Sequence, residues 1–349
     1  MNIPGLAVIP SRSHSRRRAD SRSGLRVHAS ATSSPALIAV CIPTYKRPAN
    51  LAALLRSLQA MDPGGHDLHV IVVDNDSTQS ARQIVTDVLG ETSLPFTYDS
   101  EGNRNLPVAR NRLVELATSI GAGWMWFLDD DQYVEPGALR HMLNAAHTHG
   151  ADCVVPRVRY EFEGGSSSWA QWSGIFDELR RPTGRPAKRF GTNGPMFRVA
   201  SVSAFEQPFD PSLTFVGGHH GGEDGHFFAR FHARGFRSIG CEDAIVHDRV
   251  HFSRNNPHWL MHRALRIGLI KGFLAKEVEP SPAKYMRLLI AGMGYGGVNA
   301  LLAFVMLPFG PSRFYRPWIR AVQGYGVIVG LLSGRRLLRG RDHAVVHGK

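Results

Sequence analysis

Cysteine is scarce in this sequence, and the N-terminal region lacks an apolar run. The three cysteines of the 349-residue chain, Cys41, Cys153 and Cys241, are far apart and form no CxxC pair. This excludes a disulfide framework and a common zinc site, and indicates a reducing, cytosolic compartment. The Arg- and Ser-rich stretch SRSHSRRRADSRSG has no secretory h-region. We interpret residues 1–34 as a disordered basic segment or an over-extended start, with an organellar transit peptide as the alternative.

Net charge is also absent from the central part of the chain. The formal charge is +12, of which residues 1–30 carry +5 and residues 313–349 carry +7. Residues 31–312 are therefore formally neutral. Since a nucleic-acid-binding fold needs a basic face on its body, we expect no nucleic-acid partner. Basic ends fit an anionic membrane surface better.

Apolar runs alternate with helical patterns after residue 35. ALIAVCIPTYKR, LHVIVVDNDS and WMWFLDDD have the composition of buried strands, and ANLAALLRSLQAM, ARNRLVELATSI and PGALRHMLNAAHTHG have the spacing of helices. The hydrophobic content of 43% is enough for a substantial core. The alternation predicts an α/β fold with a mostly parallel sheet and helices on both faces.

All three predicted strands end in polar residues, and ligands bind at the carboxyl ends of such strands. We therefore expect IPTYKR, DNDS and LDDD to open onto one cleft. None of these loops has a GxGxxG or GxxxxGK[ST] motif. A diphosphate could instead be held through a divalent metal between carboxylate and phosphate oxygens. The three consecutive aspartates repel one another, so they require a cation or a structural lysine or arginine.

Six segments together resemble a known family. They are VCIPTYKRPANLAALLRSL, VIVVDNDS, LPVARNRLVELA, WFLDDDQYVEPGAL, GTNGPMFR and FDPSLTFVGGHHGGEDGHFFARFHARGF. Their order and spacing are similar to those of inverting family 2 glycosyltransferases with the GT-A fold, and AIVHDRVHFSRNNPHWLMHRALRIG is similar to the ExoM-like, succinoglycan-type group. His251 stands where that group usually has proline. The resemblance covers residues 36–275 and implies a GT-A catalytic domain at 35–275.

The resemblance implies roles for individual side chains. It assigns the nucleotide to Thr44, Asp74, Arg110, Asn111 and Asp129. It assigns a divalent metal, Mn²⁺ or Mg²⁺, to Asp131 and Asp129, with His247 as a further contact or as a structural residue. It assigns the transferred sugar and the acceptor to Thr192 and Asn193. The general base would be Asp224, with Glu223 beside it, although an acid pair at a helix start also complements the helix dipole.

The function implied by the resemblance is transfer of a sugar, with inversion, from a nucleotide-diphosphate donor to a saccharide hydroxyl. UDP is the nucleotide expected from the family, and the acceptor is a saccharide, plausibly lipid-linked. A haloacid-dehalogenase-like phosphatase with Asp129 as nucleophile is one alternative, although DDDQYVEP lacks the small residue and the Thr or Val that such enzymes need. A non-catalytic membrane-associated binding protein is the other.

Residues 276–349 are expected to form a helical, membrane-associated region. Leu288 to Gly310 is a stretch of 23 residues without a charge, long enough to cross a bilayer. Three arginines in the following loop, PSRFYRPWIR, argue against a two-span hairpin. We expect helices that lie in or dip into the cytoplasmic face of the membrane, which makes the protein cytoplasmic, peripheral or monotopic. A buried glycine-rich hairpin packed on the catalytic domain is the alternative.

Overall fold

The computed structural model describes residues 36–102, 104–187, 193–213, 222–278 and 280–333. The segment expected to be disordered, 1–34, and the sugar-contact residue Thr192 lie outside these ranges. The strands are β1 Leu37–Thr44, β2 Asp67–Asp74, β3 Phe96–Ser100, β4 Trp124–Phe127, β5 Gln132–Val134, β6 Cys153–Phe162, β7 Met196–Arg198 and β8 Ser238–Val250. The helices of the catalytic part are α1 Pro48–Gln59, α2 Arg82–Leu89, α3 Leu106–Ser119, α4 Ala138–His149, α5 Ser168–Ser173, α6 Val199–Ser203 and α7 Glu223–Ala233. The C-terminal helices are α8 Pro257–Glu277, α9 Pro282–Met306 and α10 Pro311–Ser333.

Eight strands of the described ranges form one sheet in the order β3-β2-β1-β4-β7-β6-β8-β5. The pairs β1–β2, β2–β3, β1–β4 and β6–β8 are parallel, and the pairs that involve β7 or β5 are antiparallel. The mostly parallel α/β sheet predicted from the alternating pattern is confirmed. The short strand β7 reverses direction, so the sheet is mixed at its centre.

Helices cover both faces of the sheet, as the fully apolar strands require. On one face α1, α2 and α4 pack on side chains such as Val40 and Trp126. On the other face α3, α6 and α7 bury a phenylalanine cluster around Phe197 and Phe227. Helix α1 begins at Pro48, because proline is favoured in the first helical turn. Helix α4 ends at Gly150, whose φ of 58° is the left-handed conformation that glycine adopts readily.

The three C-terminal helices pack side by side, with α10 in contact with both α8 and α9. Glycines permit the close approach: an added Cβ at Gly268 would overlap Gln323 O, and one at Gly324 would meet Gly296 Cα. The domain boundary expected after residue 275 falls inside α8. Residues 36–333, so far as they are described, belong to one compact unit.

Candidate active site

The carboxyl ends of β1, β2 and β4 lie side by side, because these strands are neighbours in the sheet. Thr44 ends β1 opposite Asp74, which ends β2. After β4, Leu128 N donates to Cys41 O of β1 at 3.1 Å, and the aspartates 129–131 follow immediately. The structure therefore brings the three polar loops to one edge, as the sequence predicts.

Arginine side chains contact the second and third aspartates. Asp130 accepts hydrogen bonds from Thr44 Oγ1 at 2.9 Å and from Arg47 Nη1 at 3.1 Å. The same arginine nitrogen lies 2.9 Å from Asp131 Oδ2, and Arg254 Nη1 reaches that oxygen at 3.4 Å. Structural arginines are thus one answer to the repulsion among these carboxylates.

A third arginine connects the first aspartate to the acid pair at the start of α7. Buried Arg110, on α3, donates from Nη2 to Asp129 Oδ1 at 3.1 Å and from Nη1 to Glu223 Oε1 at 2.5 Å. Glu223 is buried, whereas Asp224 is partly exposed and accepts from Gly225 N at 2.6 Å. The acid pair therefore lies against the aspartate cluster, and Asp224 is the member that solvent can reach.

The electrostatics of Arg110 and Glu223 follow from their burial. Burial disfavours the charge on Arg110, but the carboxylates of Asp129 and Glu223 outweigh it and raise the pKa of the guanidinium. Burial raises the pKa of Glu223, the neighbouring charge of Asp224 raises it further, and Arg110 opposes both. The ion pair is thus built into the core and holds α3, α7 and the aspartate loop together.

Asp248, on β8, is a further acid of the site that sequence reasoning missed. Its side chain is buried and accepts from Asn193 Nδ2 at 2.8 Å. Burial raises the pKa of Asp248 to about 7, and the charges of Asp131 and Asp129 add to this effect. No motif marks this position, because it depends on which residues of β8 face the cleft.

The aspartates retain an excess of negative charge despite the arginines. Burial raises the pKa of Asp130 to about 6, the charge of Asp131 adds to the shift, and Arg47 opposes it. Burial and the charge of Asp131 likewise raise the pKa of Asp129, against Arg110. Raised carboxyl pKa values mean that further positive charge would be stabilised here.

The site's donors suit a hard divalent cation, although no preformed cage is present. Across the described ranges, no group of three or more His, Cys, Asp or Glu side chains is arranged to hold a metal. Mg²⁺ and similar ions are commonly held by one or two carboxylates together with substrate phosphates. Asp129 and Asp131 supply such carboxylates, and Asp248 adds charge beside them. The residues therefore fit a metal that is completed by a diphosphate.

The contacts of His247 are to residues other than the aspartates, and its assignment as a metal contact stays a prediction. Its ring stacks on Tyr133 with centroids 4.5 Å apart, Nε2 lies 3.1 Å from Glu135 Oε1, and Nδ1 lies 2.8 Å from Glu161 Oε1. Adjacent residues of a strand point to opposite faces, so Asp248 faces the cleft and His247 faces away.

Two residues assigned to the nucleotide serve the local structure. Asp74 is fully buried, and its carboxylate accepts from Asp76 N at 3.1 Å, Ala81 N at 2.8 Å and Tyr98 Oη at 2.9 Å. It orders the loop after β2, and its assignment to the nucleotide stays a prediction. Asn111, the second of these residues, is hydrogen-bonded to the backbone of Phe209.

The Nδ2 atom of Asn111 donates to Phe209 O at 2.7 Å, and its Oδ1 accepts from Phe209 N at 2.9 Å. Asn111 therefore fixes the segment after α6. Asn193, by contrast, is held at the cleft through Asp248, as described above.

The fold is that of a GT-A glycosyltransferase. The structure is similar to that of mannosyltransferase PcManGT from Pyrobaculum calidifontis, solved with GDP-Man and Mn²⁺, with a TM-score of 0.53 and 16% identity over 86% of this chain and 88% of that chain. At this identity the likeness concerns the fold.

The family follows from the sequence relatives. The family model Glycosyl transferase family 2 matches residues 39–208. Succinoglycan biosynthesis protein ExoM of Rhizobium meliloti is 34% identical over 300 residues, which are 85% of this chain and 92% of the relative. Galactofuranosyltransferase GlfT1 of Mycolicibacterium smegmatis is 33% identical over 125 residues, 35% of this chain and 39% of the relative. The chain belongs to glycosyltransferase family 2, and the expected ExoM-like resemblance is confirmed.

Proposed function

We propose that this glycosyltransferase moves a sugar, with inversion, from a nucleotide-diphosphate donor to a saccharide hydroxyl in exopolysaccharide biosynthesis. The observation that carries this proposal is the ion-pair chain Asp129–Arg110–Glu223, in which Arg110 and Glu223 are buried. It holds the acidic loop expected to receive the donor next to Asp224, the partly exposed carboxylate at the start of α7. Family membership sets aside the phosphatase and the non-catalytic alternatives.

Asp129 and Asp131 would hold the divalent metal, and the metal would supply Lewis-acid stabilisation of the departing diphosphate. Arg47 and Arg254 both contact Asp131, and Arg47 also contacts Asp130, so the two arginines would add positive charge near the leaving group. The backbone and hydroxyl of Thr44 lie at the edge of the cleft, where the nucleotide is expected. His247 has no part in this proposal.

Asp224 is proposed to accept the proton of the acceptor hydroxyl. The hydroxyl oxygen attacks the anomeric carbon, a new C–O bond forms, and the bond to the phosphate oxygen breaks with its electron pair going to the diphosphate. Attack opposite to the leaving group inverts the anomeric centre. A single base and a stabilised leaving group suffice, so the carboxylic acid that a glycosidase uses to protonate its leaving group is not required.

The donor and acceptor are proposed by class. A UDP-sugar is the donor expected from the family resemblance, whereas PcManGT is described with GDP-Man. Similarity to ExoM over 85% of this chain supports a growing saccharide as acceptor. A lipid-linked acceptor is proposed, because the apolar helix Pro282–Phe309 is long enough to associate with a membrane.

The test is nucleotide release from UDP-, GDP- and dTDP-sugars by the purified protein in detergent. We expect metal-dependent release from one donor, lost in Asp131→Ala and retained in Asp243→Asn, an exposed acid on β8. Release that is independent of Mn²⁺ and Mg²⁺ and unchanged in Asp131→Ala would refute the assigned site. A lipid-free oligosaccharide acceptor pool should be included, since some transferases turn over only with an acceptor.

A further inference from the structure

Helix α9 exposes apolar side chains over most of its circumference. Its outer face, as we call it here, consists of Ile290, Met293, Val298, Leu301, Leu302, Phe304 and Val305, each at least 39% exposed. Only a narrow stripe, at Gly292, Asn299 and Ala303, is buried. Among the described residues, the span Pro282–Phe309 alone is long and apolar enough to cross a membrane, and only 17% of its most apolar 18-residue window is buried.

Exposure of such an apolar surface to water is energetically unfavourable. Soluble monomers rarely expose a contiguous apolar patch larger than a few hundred Å². Here the exposed residues continue along a helix of 25 residues, roughly 37 Å at 1.5 Å per residue. The buried-hairpin alternative is therefore wrong for this helix, because its outer face has no cover within the described part of the chain.

Basic residues lie at both ends of this face. Lys284 and Arg287 precede the uncharged stretch, and exposed Arg313 follows it. Exposed Arg320 lies further along α10, next to Ala321, which lies close to Gly296 of α9. Four further arginines occur in the sequence after residue 334. Cations that flank an apolar surface complement the anionic headgroups that border acyl chains. We propose that the outer face of α9 docks on an anionic phospholipid bilayer, with the helix lying within one leaflet.

The packing of the helices favours this orientation over a crossing one. Helix α10 lies against both α8 and α9, so the three move together. Helix α8 carries Arg263, Arg266 and Lys271. A perpendicular α9 would carry these charges to membrane depth, where charged side chains are costly. A flat α9 leaves α8 and α10 on the water side, and both of its basic ends reach headgroups of the same leaflet.

The docked face is linked to the active site. Tyr315 Oη, near the start of α10, donates to Pro257 O at the start of α8 at 3.2 Å. Arg254, three residues earlier, contacts Asp131. The turn between α9 and α10 therefore lies at the same end of α8 as the cleft. If the proposed function holds, the bilayer presents a lipid-linked acceptor to this cleft.

Vesicle binding tests the docking surface separately from catalysis. Full-length protein is mixed with phosphatidylcholine vesicles that contain no or 30% phosphatidylglycerol, and the bound fraction is measured by flotation. We expect binding that is stronger with phosphatidylglycerol. The neutral triple variant Val298→Gln/Leu301→Gln/Val305→Gln should bind at least ten times more weakly to both compositions, because these side chains are exposed and the fold does not depend on them.

Charge variants test the flanking arginines. Arg313→Gln/Arg320→Gln should weaken the preference for phosphatidylglycerol, because Lys284 and Arg287 remain, and should keep binding to neutral vesicles. The matched control Arg56→Gln/Arg140→Gln removes two exposed arginines from α1 and α4 and should change nothing. Circular dichroism and the melting temperature verify that all variants fold. The proposal would be overturned if the folded wild-type protein did not bind vesicles. It would also be overturned if the wild-type protein were a dimer and the triple variant bound vesicles normally but became monomeric, because the outer face would then be a contact between two copies of the chain.

Cysteine labelling tests the orientation. The three native cysteines are buried, so Ala283→Cys and Ser312→Cys place single exposed thiols at the two ends of α9. A flat helix leaves both thiols accessible to a membrane-impermeant maleimide added outside the vesicles. Protection of one end and labelling of the other would show a crossing helix and overturn the flat orientation.

Discussion

Arg110 donates from Nη1 to Glu223 Oε1 at 2.5 Å, although 113 positions separate the two residues in the sequence. Both side chains are buried, and Asp129 contacts the same guanidinium. Removing one member of a buried ion pair leaves the other charge uncompensated, which costs far more than losing a surface pair. This contact is therefore expected to dominate the stability of the site.

Arg110→Met should lower the free energy of unfolding by about 3–5 kcal/mol, because Asp129 and Glu223 lose their common partner. The double variant Arg110→Met/Glu223→Gln should recover part of that loss, since one buried charge is removed with the arginine. Urea denaturation measures both. The control Arg112→Met, on the exposed face of α3, should cost no more than about 1 kcal/mol. Equal losses for Arg110 and Arg112 would contradict this account.

Asp224→Asn should lower the rate of transfer by a factor of about 10² to 10⁴, the usual contribution of a general base. Nucleotide affinity should stay within about twofold, because the contacts assigned to the nucleotide lie elsewhere. Isothermal titration with the nucleotide and single-turnover transfer separate the two effects. Asp87→Asn, an exposed acid on α2, is the control. Retained turnover in Asp224→Asn would remove this residue from the mechanism.

The sequence predicts where the site lies better than it predicts which residues form it. Apolar strands that end in acids identify the sheet edge, because strand pattern and parallel topology determine it together. Whether His247 or Asp248 faces the cleft depends on the register between β5 and β8. Gln132 pairs with Asp248, and Tyr133 pairs with His247, across β5 and β8. A shift by one residue would exchange them, and the sequence pattern does not determine that shift.

The sequence also did not show which arginines contact the aspartates. Arg47 and Arg254 meet at Asp131 from opposite ends of the catalytic part of the chain. Their positions follow from loops whose paths depend on tertiary packing. The resemblance did identify Arg110, but its implied role was to close over the nucleotide. The structure adds the ion pair with Glu223 to that role.

Asp248→Asn should have opposite effects on stability and on metal dependence. Without metal, at pH 8, the variant should be more stable by about 1 kcal/mol, because a buried carboxylate no longer repels Asp129 and Asp131. The Mn²⁺ concentration for half-maximal donor binding should rise about tenfold, as expected for a residue that supports metal ligands. Urea denaturation in a chelator and donor binding at varied Mn²⁺ test the two parts. Asp243→Asn on the same strand should change neither, and a destabilised Asp248→Asn would contradict the repulsion argument.

Glycine substitutions should distinguish the packed contact between α8 and α10 from the exposed surface of α9. An added Cβ at Gly268 would overlap Gln323 O and approach Gly326 Cα at 2.9 Å, which are backbone atoms that cannot move independently. Gly268→Ala should therefore lower the free energy of unfolding by about 1–3 kcal/mol, the usual cost of overpacking. An added Cβ at Gly294 would meet nothing within 4 Å. Gly294→Ala should then raise stability by up to about 1 kcal/mol, because alanine is the better helix former. Urea denaturation followed by tryptophan fluorescence compares the two, and a Gly268→Ala protein as stable as wild type would mean that α8 and α10 do not pack as closely in solution.

If α10 separates from α8, the link from the α9 surface to Arg254 is lost as well, so Gly268→Ala should also weaken transfer to a membrane-borne acceptor more than release from the donor alone.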